Sequence, residues 1–531
     1  MRNIIDRDIA PLEESIRVLK SRRNDLSPIY RFPAEILCNI FSLTEDLSPN
    51  RSPKSWTNYS QVSQRWRSSA LSAPQLWTKI PLDYPRWAQE MLIRSKMAKL
   101  TIRSNLFFGK SNHLFRQSVE AIKSCLYELN RVEEINLTGF PRSTMEEIFR
   151  DLVPKSAPQL HTLCIDGVSI HEDFLYDTER LQRVELSYCT KISWDSRLLT
   201  GLTYLTLERC LNPNFESSII QVLYALQRMP ALTELRLIYS IPDESGGAST
   251  YPVVELTCLQ ILHISSAIGP LTTVLHHISF PHSAILNLTC EGESTQEIDF
   301  SKFLSVLATN FLSSLVIRSL QVGLIDTTYT RSGLEFYIWT TAFIPDCFPH
   351  PTSLSSQSQL QLSLTWPSSE SSQCLNHGKV LTSALDAMNL SSLTQLQLLT
   401  LSCIDSETWV KTFGKLPLLE RVYMKSSELH SFFEALVYKS KAEEKSKTAY
   451  RNVSFPKLRY LHLEGKGWSI VSVENLLDYL KERREGKAGV QVLLLDDCPY
   501  ISFGDVERLK EIVANVIWDG VERWQEDSED E

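Results

Sequence analysis

The sequence lacks the motifs by which most catalytic sites are recognised. Among its 531 residues there is no GxSxG nucleophile elbow, no HExxH zinc motif, no GxxxxGK[ST] phosphate loop and no GxGxxG dinucleotide motif. Without such a constellation we predict that the protein is not an enzyme and has no cofactor.

Two short clusters contain residue types that bind metals. His276 and His277 are adjacent, so on a strand they would point to opposite faces, and no paired carboxylate accompanies them or the nearby His282. Cys374 and His377 have ligand-like spacing but no second half. We therefore predict no metal site.

The sequence shows no recognisable signal peptide and no membrane-spanning segment. The first 25 residues contain charges every few positions and no 7–15-residue apolar run of the kind found in signal peptides. No stretch elsewhere approaches the ~18 apolar residues that a membrane helix needs. Eleven scattered cysteines without a CxxC pair suit free thiols in a reducing compartment. We expect a cytoplasmic or nuclear protein that does not bind a membrane.

Basic residues are fewer than acidic residues. Lys and Arg number 54 against 63 Asp and Glu, a net charge of −9, so no global positive field attracts nucleic acid and we predict no such partner. Part of the negative charge lies in the tail, residues 519–531, which ends in an acidic run from Glu526. Such a run is typically a solvated end, although a regulatory role with Ser528 as a phosphosite is an alternative.

With 43% hydrophobic residues, the chain can bury a large core and form more than one structural unit. Its first segment, residues 1–25, has a heptad-like row of apolar residues with Pro11 as a flaw near its start. The row consists of Ile5, Ile9, Leu12, Ile16, Leu19 and Leu26. Either this helix packs on its own domain or it pairs with a second helix as a coiled coil.

The next stretch, "LSPIYRFPAEILCNIF" at 26–41, has the pattern of a second helix. Pro33 suits the first helical position, and Glu35 complements the positive end of the helix dipole. Ile36 and Ile40 form one apolar row, and the adjacent row is formed by Leu37 and Phe41. Two rows are wider than one contact needs, so either both are core or one faces a partner.

A further amphipathic helix follows within "SWTNYSQVSQRWRSSALSAPQLWTKI", residues 55–80. Its apolar row steps by three, four and four through Tyr59, Val62, Trp66 and Ala70. Arg65 and Arg67 lie on its polar face, and Pro74 ends it. The residues after Pro74 would fold back on the same small core, namely Leu76, Trp77 and Ile80.

Together these segments resemble the F-box domain, in the variant found among large fungal F-box proteins, and we assign the domain to residues 26–82. The resemblance depends on Pro–x–Glu–Ile–Leu–x–x–Ile–Phe, "RWR" and "PQLW" in that order, with Phe32 where the family usually has Leu. It implies docking to the Skp-type adaptor of a cullin–RING ubiquitin ligase, with Trp66 and Trp77 holding the domain together. The contacts that it implies are Ile29, Phe32, Pro33, Ile36, Leu37, Ile40 and Phe41.

From residue 83 to 518 the period changes to a repeated strand signal. "MAKLTIRS" predicts a strand centred on Leu100 and Ile102, and an apolar–x–x–apolar–x–apolar pattern recurs eleven times. It begins at residues 132, 160, 181, 202, 232, 259, 312, 396, 419, 458 and 490. This resembles an irregular leucine-rich-repeat solenoid, so the predicted fold class is α/β, with parallel strands and helices after a small helical domain.

Between the repeats, polar low-complexity stretches near residues 241–250, 351–363, 367–373 and 439–450 are predicted as surface loops. Cys189, Cys210 and Cys498 follow strand signals at one equivalent position and are predicted to pack into the turn as structural thiols.

The resemblance implies a substrate receptor of a ubiquitin ligase, which binds an adaptor through the F-box and an unknown protein target through the repeats. The alternative is a repeat scaffold that acts outside a ligase, with the helical module as a cap. Candidate aromatic anchors for a target are Tyr188, Tyr239 and Trp468.

Overall fold

The structure is a computed structural model that describes residues 2–46, 59–82, 84–105, 112–150, 155–170, 174–210, 218–243, 250–293, 298–328, 331–342, 358–367, 373–401, 404–425, 429–437, 454–465 and 470–521. The chain divides into two compact units, residues 1–215 and 216–531. The domain boundaries expected at residues 25, 82 and 518 stay predictions. Among the described helices, none combines the length and apolar character that a membrane crossing requires.

The first unit begins with helices. The long helix α1 (Arg2–Asp25) is followed by a 3₁₀ turn at Pro28–Arg31 and by α2 (Ala34–Asp46). The helix predicted across residues 59–70 is instead two helices, α3 (Tyr59–Val62) and α4 (Gln64–Ser72). The break is at Ser63, which is extended at φ −159° and whose hydroxyl accepts the Trp66 N–H as an N-cap. The 3₁₀ turn Pro74–Trp77 follows.

Among the described residues, six parallel strands of the main sheet complete the first unit, and each pairs with the next in chain order. They are β1 (Lys79–Pro81), β2 (Leu100–Asn105), β3 (Val132–Thr138), β4 (Thr162–Asp166), β5 (Arg183–Ser187) and β6 (Tyr204–Glu208). Two short strands, Lys155–Ser156 and Leu175–Tyr176, pair with each other separately. The first crossovers contain α5 (Pro85–Arg94), α6 (Asn112–Leu126) and α7 (Arg142–Arg150). Because β1 belongs to the predicted helical domain, backbone pairing ties that domain directly to the sheet.

The repeated sequence pattern explains these strands. In the copy at "LHTLCI", Leu160 lies just before β4, whereas Leu163 and Ile165 lie within it, and all three are buried. Successive strand residues point to opposite faces, so the second and third apolar positions share the core-facing side. The side chains between them form the other face of the sheet.

In the described part of the second unit, eleven strands form one sheet, and two short strands, Val254–Glu255 and Ile278–Ser279, pair separately. In chain order the eleven strands are β7 (Glu234–Ile238), β8 (Ile261–Ala267), β9 (Ile285–Glu291), β10 (Ser319–Thr328), β11 (Arg331–Trp339), β12 (Leu360–Pro367), β13 (Gln395–Leu399), β14 (Arg421–Lys425), β15 (Tyr460–Glu464), β16 (Val492–Asp496) and β17 (Asn515–Trp518). Their helices are α8 (Ile219–Gln227), α9 (Ile268–His277), α10 (Ser301–Asn310), α11 (Gln373–Asp386), α12 (Ser406–Trp409), α13 (His430–Leu436), α14 (Ile470–Glu485) and α15 (Phe503–Lys510).

The order of the strands departs from chain order once. It runs β7–β8–β9–β12–β11–β10–β13 and then continues to β17. Strand β11 is antiparallel to both of its neighbours, and all other pairs in this sheet are parallel. The fold is thus a small helical region followed by mostly parallel sheet with alternating helices, and the predicted α/β class is confirmed.

Ten of the eleven predicted repeat copies overlap parallel strands, with two corrections. The copy at Leu312 forms the 3₁₀ turn Leu312–Ser314, and the strand begins only at Ser319. The copy assigned to Leu396 is three residues out of register, because Leu396 and Leu398 are the core-facing pair of β13 and Leu393 precedes them. A start at Leu393 restores the pattern.

One predicted loop is also wrong in part. Residues 360–363 belong to β12, where Leu360, Leu362 and Leu364 alternate into the core despite the surrounding Ser and Gln. The rest of that stretch before residue 358 and the predicted loop at 439–450 lie outside the described residues, as do 244–249 and 368–372.

The three repeat cysteines lie in the turns after their strands, as predicted. Cys189, Cys210 and Cys498 are buried, and each thiol donates to the backbone carbonyl of a neighbouring strand. For Cys210 the acceptor is Leu186, with Sγ 3.2 Å from the carbonyl oxygen. Burial raises the pKa of the Cys498 thiol to about 12, which suits a structural role.

Candidate protein-binding site in the N-terminal helical domain

The small helical domain has a compact aromatic core. The Phe41 ring stacks on Tyr59, with centroids 4.8 Å apart, and lies 5.1 Å from Trp66. Trp77 is almost fully buried, and its indole Nε1 donates to the Ala70 carbonyl at 2.8 Å. Further core side chains are Tyr30, Leu37, Cys38, Ala73, Leu76 and Ile80. Both tryptophans expected to hold the domain together thus contact its core.

Neighbouring residues of helix α2 differ sharply in exposure. Leu37 of α2 is 0% exposed, whereas Ile36 is 41% exposed. Phe41 follows Leu37 into the interior one turn later, and Ile40 continues the Ile36 row half-buried. The helix therefore has one apolar row in the core and an adjacent apolar row that reaches solvent.

The exposed row begins before the helix. Phe32 and Pro33, at the junction between the 3₁₀ turn and α2, are exposed, and Ile29 within the turn is half-buried. At the other end, the exposed side chain of Leu43 extends the row by one more turn. This forms an apolar ridge, which we define as Phe32, Pro33, Ile36, Ile40 and Leu43.

Arg65 holds the start of this ridge in place. Its guanidinium Nη2 lies 2.6 Å from the Phe32 carbonyl oxygen, and Nη1 donates to the carbonyl of Tyr30. The same guanidinium lies 5.5 Å from the centre of the Tyr30 ring. Helix α4 thereby fixes the backbone of the turn that positions Phe32.

The predicted contact residues therefore fall into two groups. Those that reach solvent at least in part are Ile29, Phe32, Pro33, Ile36 and Ile40, and those enclosed by the domain are Leu37 and Phe41. Burial raises the pKa of the Cys38 thiol, which also lies on the enclosed side beside the Ser69 carbonyl.

Sequence reasoning missed two parts of this site. Leu43 lies three residues after Ile40, so the spacing of the row already contained the signal for it. Arg65 was placed on a polar face without a role, because its partners Tyr30 and Phe32 are more than thirty positions earlier in the chain. Only the folded domain brings them together.

Of the candidate metal-binding residues, His282 and His377 have other polar partners. His276 and His277 end helix α9 rather than lying on a strand, and His282 Nδ1 is 2.9 Å from the Ser314 hydroxyl. His377 Nε2 is 3.0 Å from the Ser332 hydroxyl. Across the described part of the chain, no group of three or more His, Cys, Asp or Glu side chains is arranged to hold a metal ion.

The candidate aromatic anchors differ in their surroundings. Tyr188 is exposed in the turn after β5, at a positive φ of 54°. Tyr239 lies in the equivalent turn after β7, and its hydroxyl is 2.7 Å from a carboxylate oxygen of Glu291. Trp468 lies outside the described residues.

The exposed apolar ridge makes this small helical module a candidate protein-docking domain. Residues 29–82 match the family model described as F-box-like. No curated protein matches the chain. The chain thus contains an F-box-like domain, and mostly parallel sheet consistent with repeats follows it. An F-box implies binding to a Skp-type adaptor, and F-box proteins are typically non-catalytic.

Proposed function

We propose that this protein is a substrate-receptor subunit of a cullin–RING ubiquitin ligase of the SCF type. The F-box-like domain binds the Skp-type adaptor, the adaptor binds a cullin, and the repeat sheets bind a protein target. The receptor itself performs no bond chemistry and acts in the cytoplasm or nucleus. The observation that supports this proposal most directly is the exposed apolar ridge within the matched segment.

The ridge is the adaptor-binding surface in this proposal. Phe32, Pro33, Ile36 and Ile40 supply the apolar contact, Ile29 flanks it, and Leu43 extends it. Leu37 and Phe41 act from below, because their burial keeps α2 against α4 and so holds the ridge in one shape. A row of large apolar side chains on a rigid helix is the kind of surface that partners bind in a groove.

The test is binding of the full chain to a purified Skp-type adaptor by calorimetry. The double variant Phe32→Asp and Ile36→Asp places two charges on the ridge and should weaken binding by about 100-fold or more. Because both side chains are exposed, helical circular dichroism should not change. Leu37→Asp would be unsuitable, since a charge at that buried position would unfold the domain.

The matched control is Ile93→Asp. Ile93 is a more exposed isoleucine on helix α5, outside the matched residues 29–82. It should leave adaptor binding unchanged. If the folded wild-type chain does not bind the adaptor at micromolar concentrations, or if the ridge variant binds as well as wild type, the receptor proposal is wrong.

For the target, we propose the sheet face opposite the core. On that face, an arginine stacks on a tyrosine of the next strand in both units. The guanidinium carbon of Arg183 lies 3.5 Å from the centre of the Tyr204 ring, and that of Arg421 lies 4.2 Å from the centre of the Tyr460 ring. Arginine and tyrosine are enriched in binding hot spots, and stacking pre-orders both side chains. In this proposal, the sheets of both units are built of irregular leucine-rich repeats.

The identity of this face can be tested by capturing targets from cell extract with full-length bait. Tyr204→Ala and Tyr460→Ala should each remove proteins that the wild type retains, while adaptor binding is preserved. The control Tyr224→Ala changes an exposed tyrosine on helix α8, away from the strands. If the same proteins are lost from the control alone, the target binds elsewhere.

A further inference from the structure

Helix α1 leaves its apolar row exposed to solvent, and its other side chains from Ile5 to Arg23 are exposed as well. Its members Ile5, Ile9, Leu12, Ile16 and Leu19 are between 42% and 65% exposed. The polar side lines a cleft against the F-box-like domain at Tyr30 and Gln64. Its residues there are Arg17, Ser21 and Asn24, and Lys20 and Arg22 also line this cleft. The helix therefore does not bury its apolar row against its own domain, as an amphipathic helix usually does.

The spacing of the row is that of a two-stranded coiled coil. In heptad notation Ile9 and Ile16 occupy position a, whereas Leu12 and Leu19 occupy position d. In parallel coiled coils, β-branched residues at a with leucine at d favour two helices over three or four, whereas in an antiparallel pair each layer joins an a residue to a d residue. Pro11 falls at position c, outside this seam. A second copy of α1 therefore offers the surface that the row fits.

The charges along the helix select an orientation. Residues 2–14 contain four acidic and two basic side chains, a net charge of −2. Residues 15–25 contain four basic and one acidic side chain, a net charge of +3. Antiparallel helices place the negative half of each copy beside the positive half of the other, whereas parallel helices place like halves together.

The residues beside the seam agree. When Leu12 packs on Ile16 of the second copy, Asp8 faces Arg22 and Asp6 faces Lys20 across the antiparallel pair, each twice by symmetry. Glu13 then faces its own equivalent, the one unfavourable pair at these positions. In the parallel arrangement Asp8 would instead lie beside Glu13, and no opposite-charge pair would replace it.

We propose that α1 pairs with α1 of a second copy of this chain as an antiparallel two-stranded coiled coil. The pairing uses the apolar row that the described part of the chain leaves uncovered, and it does not depend on adaptor binding. One dimer would present two F-box-like domains and two sets of repeat sheets.

The first test is the mass of the full chain by sedimentation at tens of micromolar. The expected result is twice the 60.7 kDa of one chain. Leu12→Asp with Ile16→Asp removes the central layer and should give the monomer mass. Val18→Asp is the matched control, since Val18 is an exposed apolar residue of the same helix that lines the cleft rather than the seam. It should remain dimeric.

The second test concerns orientation. Asp8→Arg should weaken the dimer at least about fivefold at low salt, because it places like charges opposite Arg22. Adding Arg22→Asp should restore wild-type affinity. A parallel coiled coil predicts the reverse for the single change, since an arginine at position 8 would attract Glu13.

A monomeric wild type at these concentrations, or a dimer that survives the Leu12→Asp and Ile16→Asp changes, would overturn the proposal. A dimer that Asp8→Arg strengthens would overturn the antiparallel arrangement. Because mass is measured without adaptor, these results are independent of the proposed ligase function.

Discussion

Arg65 and Phe32 are joined by a hydrogen bond in which the guanidinium Nη2 donates to the Phe32 carbonyl oxygen at 2.6 Å. The bond links α4 to the residue before α2. Since Arg65 also donates to the Tyr30 carbonyl, one side chain fixes two carbonyl groups at the C-terminal end of the turn that presents the ridge.

We therefore expect Arg65→Met to weaken adaptor binding about tenfold, although Arg65 itself lies behind the ridge. Without Arg65 the turn would become ordered only when the adaptor binds, and the conformational entropy that this costs lowers the affinity. The measurement is calorimetric titration with the Skp-type adaptor, with circular dichroism to show that the fold is retained. The matched control is Arg67→Met, which removes an exposed arginine two residues later and should leave the affinity for the adaptor unchanged. Equal affinities for the two variants would contradict the positioning role.

Substitutions at the neighbouring residues Ile36 and Leu37 should affect different properties: adaptor binding for Ile36 and stability for Leu37. Leu37→Ala leaves a cavity in the core and should lower the free energy of unfolding of the domain by about 2–5 kcal/mol. Ile36→Ala should change it by less than about 0.5 kcal/mol, yet weaken adaptor binding. Amide hydrogen exchange in α2 and α4 measures the first effect locally. Faster exchange in the Ile36 variant than in the Leu37 variant would reverse the assignment of the two rows.

Thiol reactivity should follow burial. Burial raises the pKa of Cys125 and Cys164 to about 12, so at pH 8 only about one thiol in ten thousand is ionised. Cys258 is exposed. In the native protein iodoacetamide should modify Cys258 within minutes and leave the two buried thiols intact, as measured by peptide mass mapping. Alkylation of Cys164 at the rate of Cys258 would show that its repeat opens in the native state.

How far the sequence predicts this fold depends on whether a pattern is local. The row through Ile36 and Ile40 and the repeated strand motif depend on spacing within a few residues, so they were recognisable. Which of the two rows on α2 is core depends on Tyr59 and Trp66, and this needs the folded domain. Strand β12 was assigned to a loop because the Ser and Gln around it hide the alternation of its leucines, and the antiparallel strand β11 beside it was missed.

Arg483 shows the same dependence on distant contacts within the second unit. It is a fully buried arginine of α14 whose described hydrogen bonds all go to backbone carbonyls, and desolvation lowers its pKa to about 10. Its Nη1 donates to Leu436 and to Ser454, each at 2.7 Å, and its Nη2 donates to Phe455 at 2.9 Å. These carbonyls lie on both sides of residues 438–453, so one guanidinium joins the two ends of that segment.

We expect Arg483→Met to destabilise the second unit by at least about 3 kcal/mol, because three buried carbonyls lose their donor. Thermal unfolding followed by circular dichroism measures the effect. Arg484→Met is the matched control, since its neighbouring guanidinium is exposed and its loss should shift the midpoint little. Similar midpoints for both variants would show that the buried guanidinium does not hold this region together.

The same geometry predicts that residues 438–453 can be shortened. The Leu436 and Ser454 carbonyl oxygens lie at the same distance from one nitrogen, so they are no more than twice that distance apart, and a linker of about six residues can close the gap. The sequence predicts a surface loop across residues 439–450, and closing a shorter loop costs less entropy. We expect a chain with a Gly-Ser linker in place of 438–453 to keep the wild-type midpoint, and to lose it when Arg483→Met is added. A large drop from the linker alone would show that the removed residues contribute to the core.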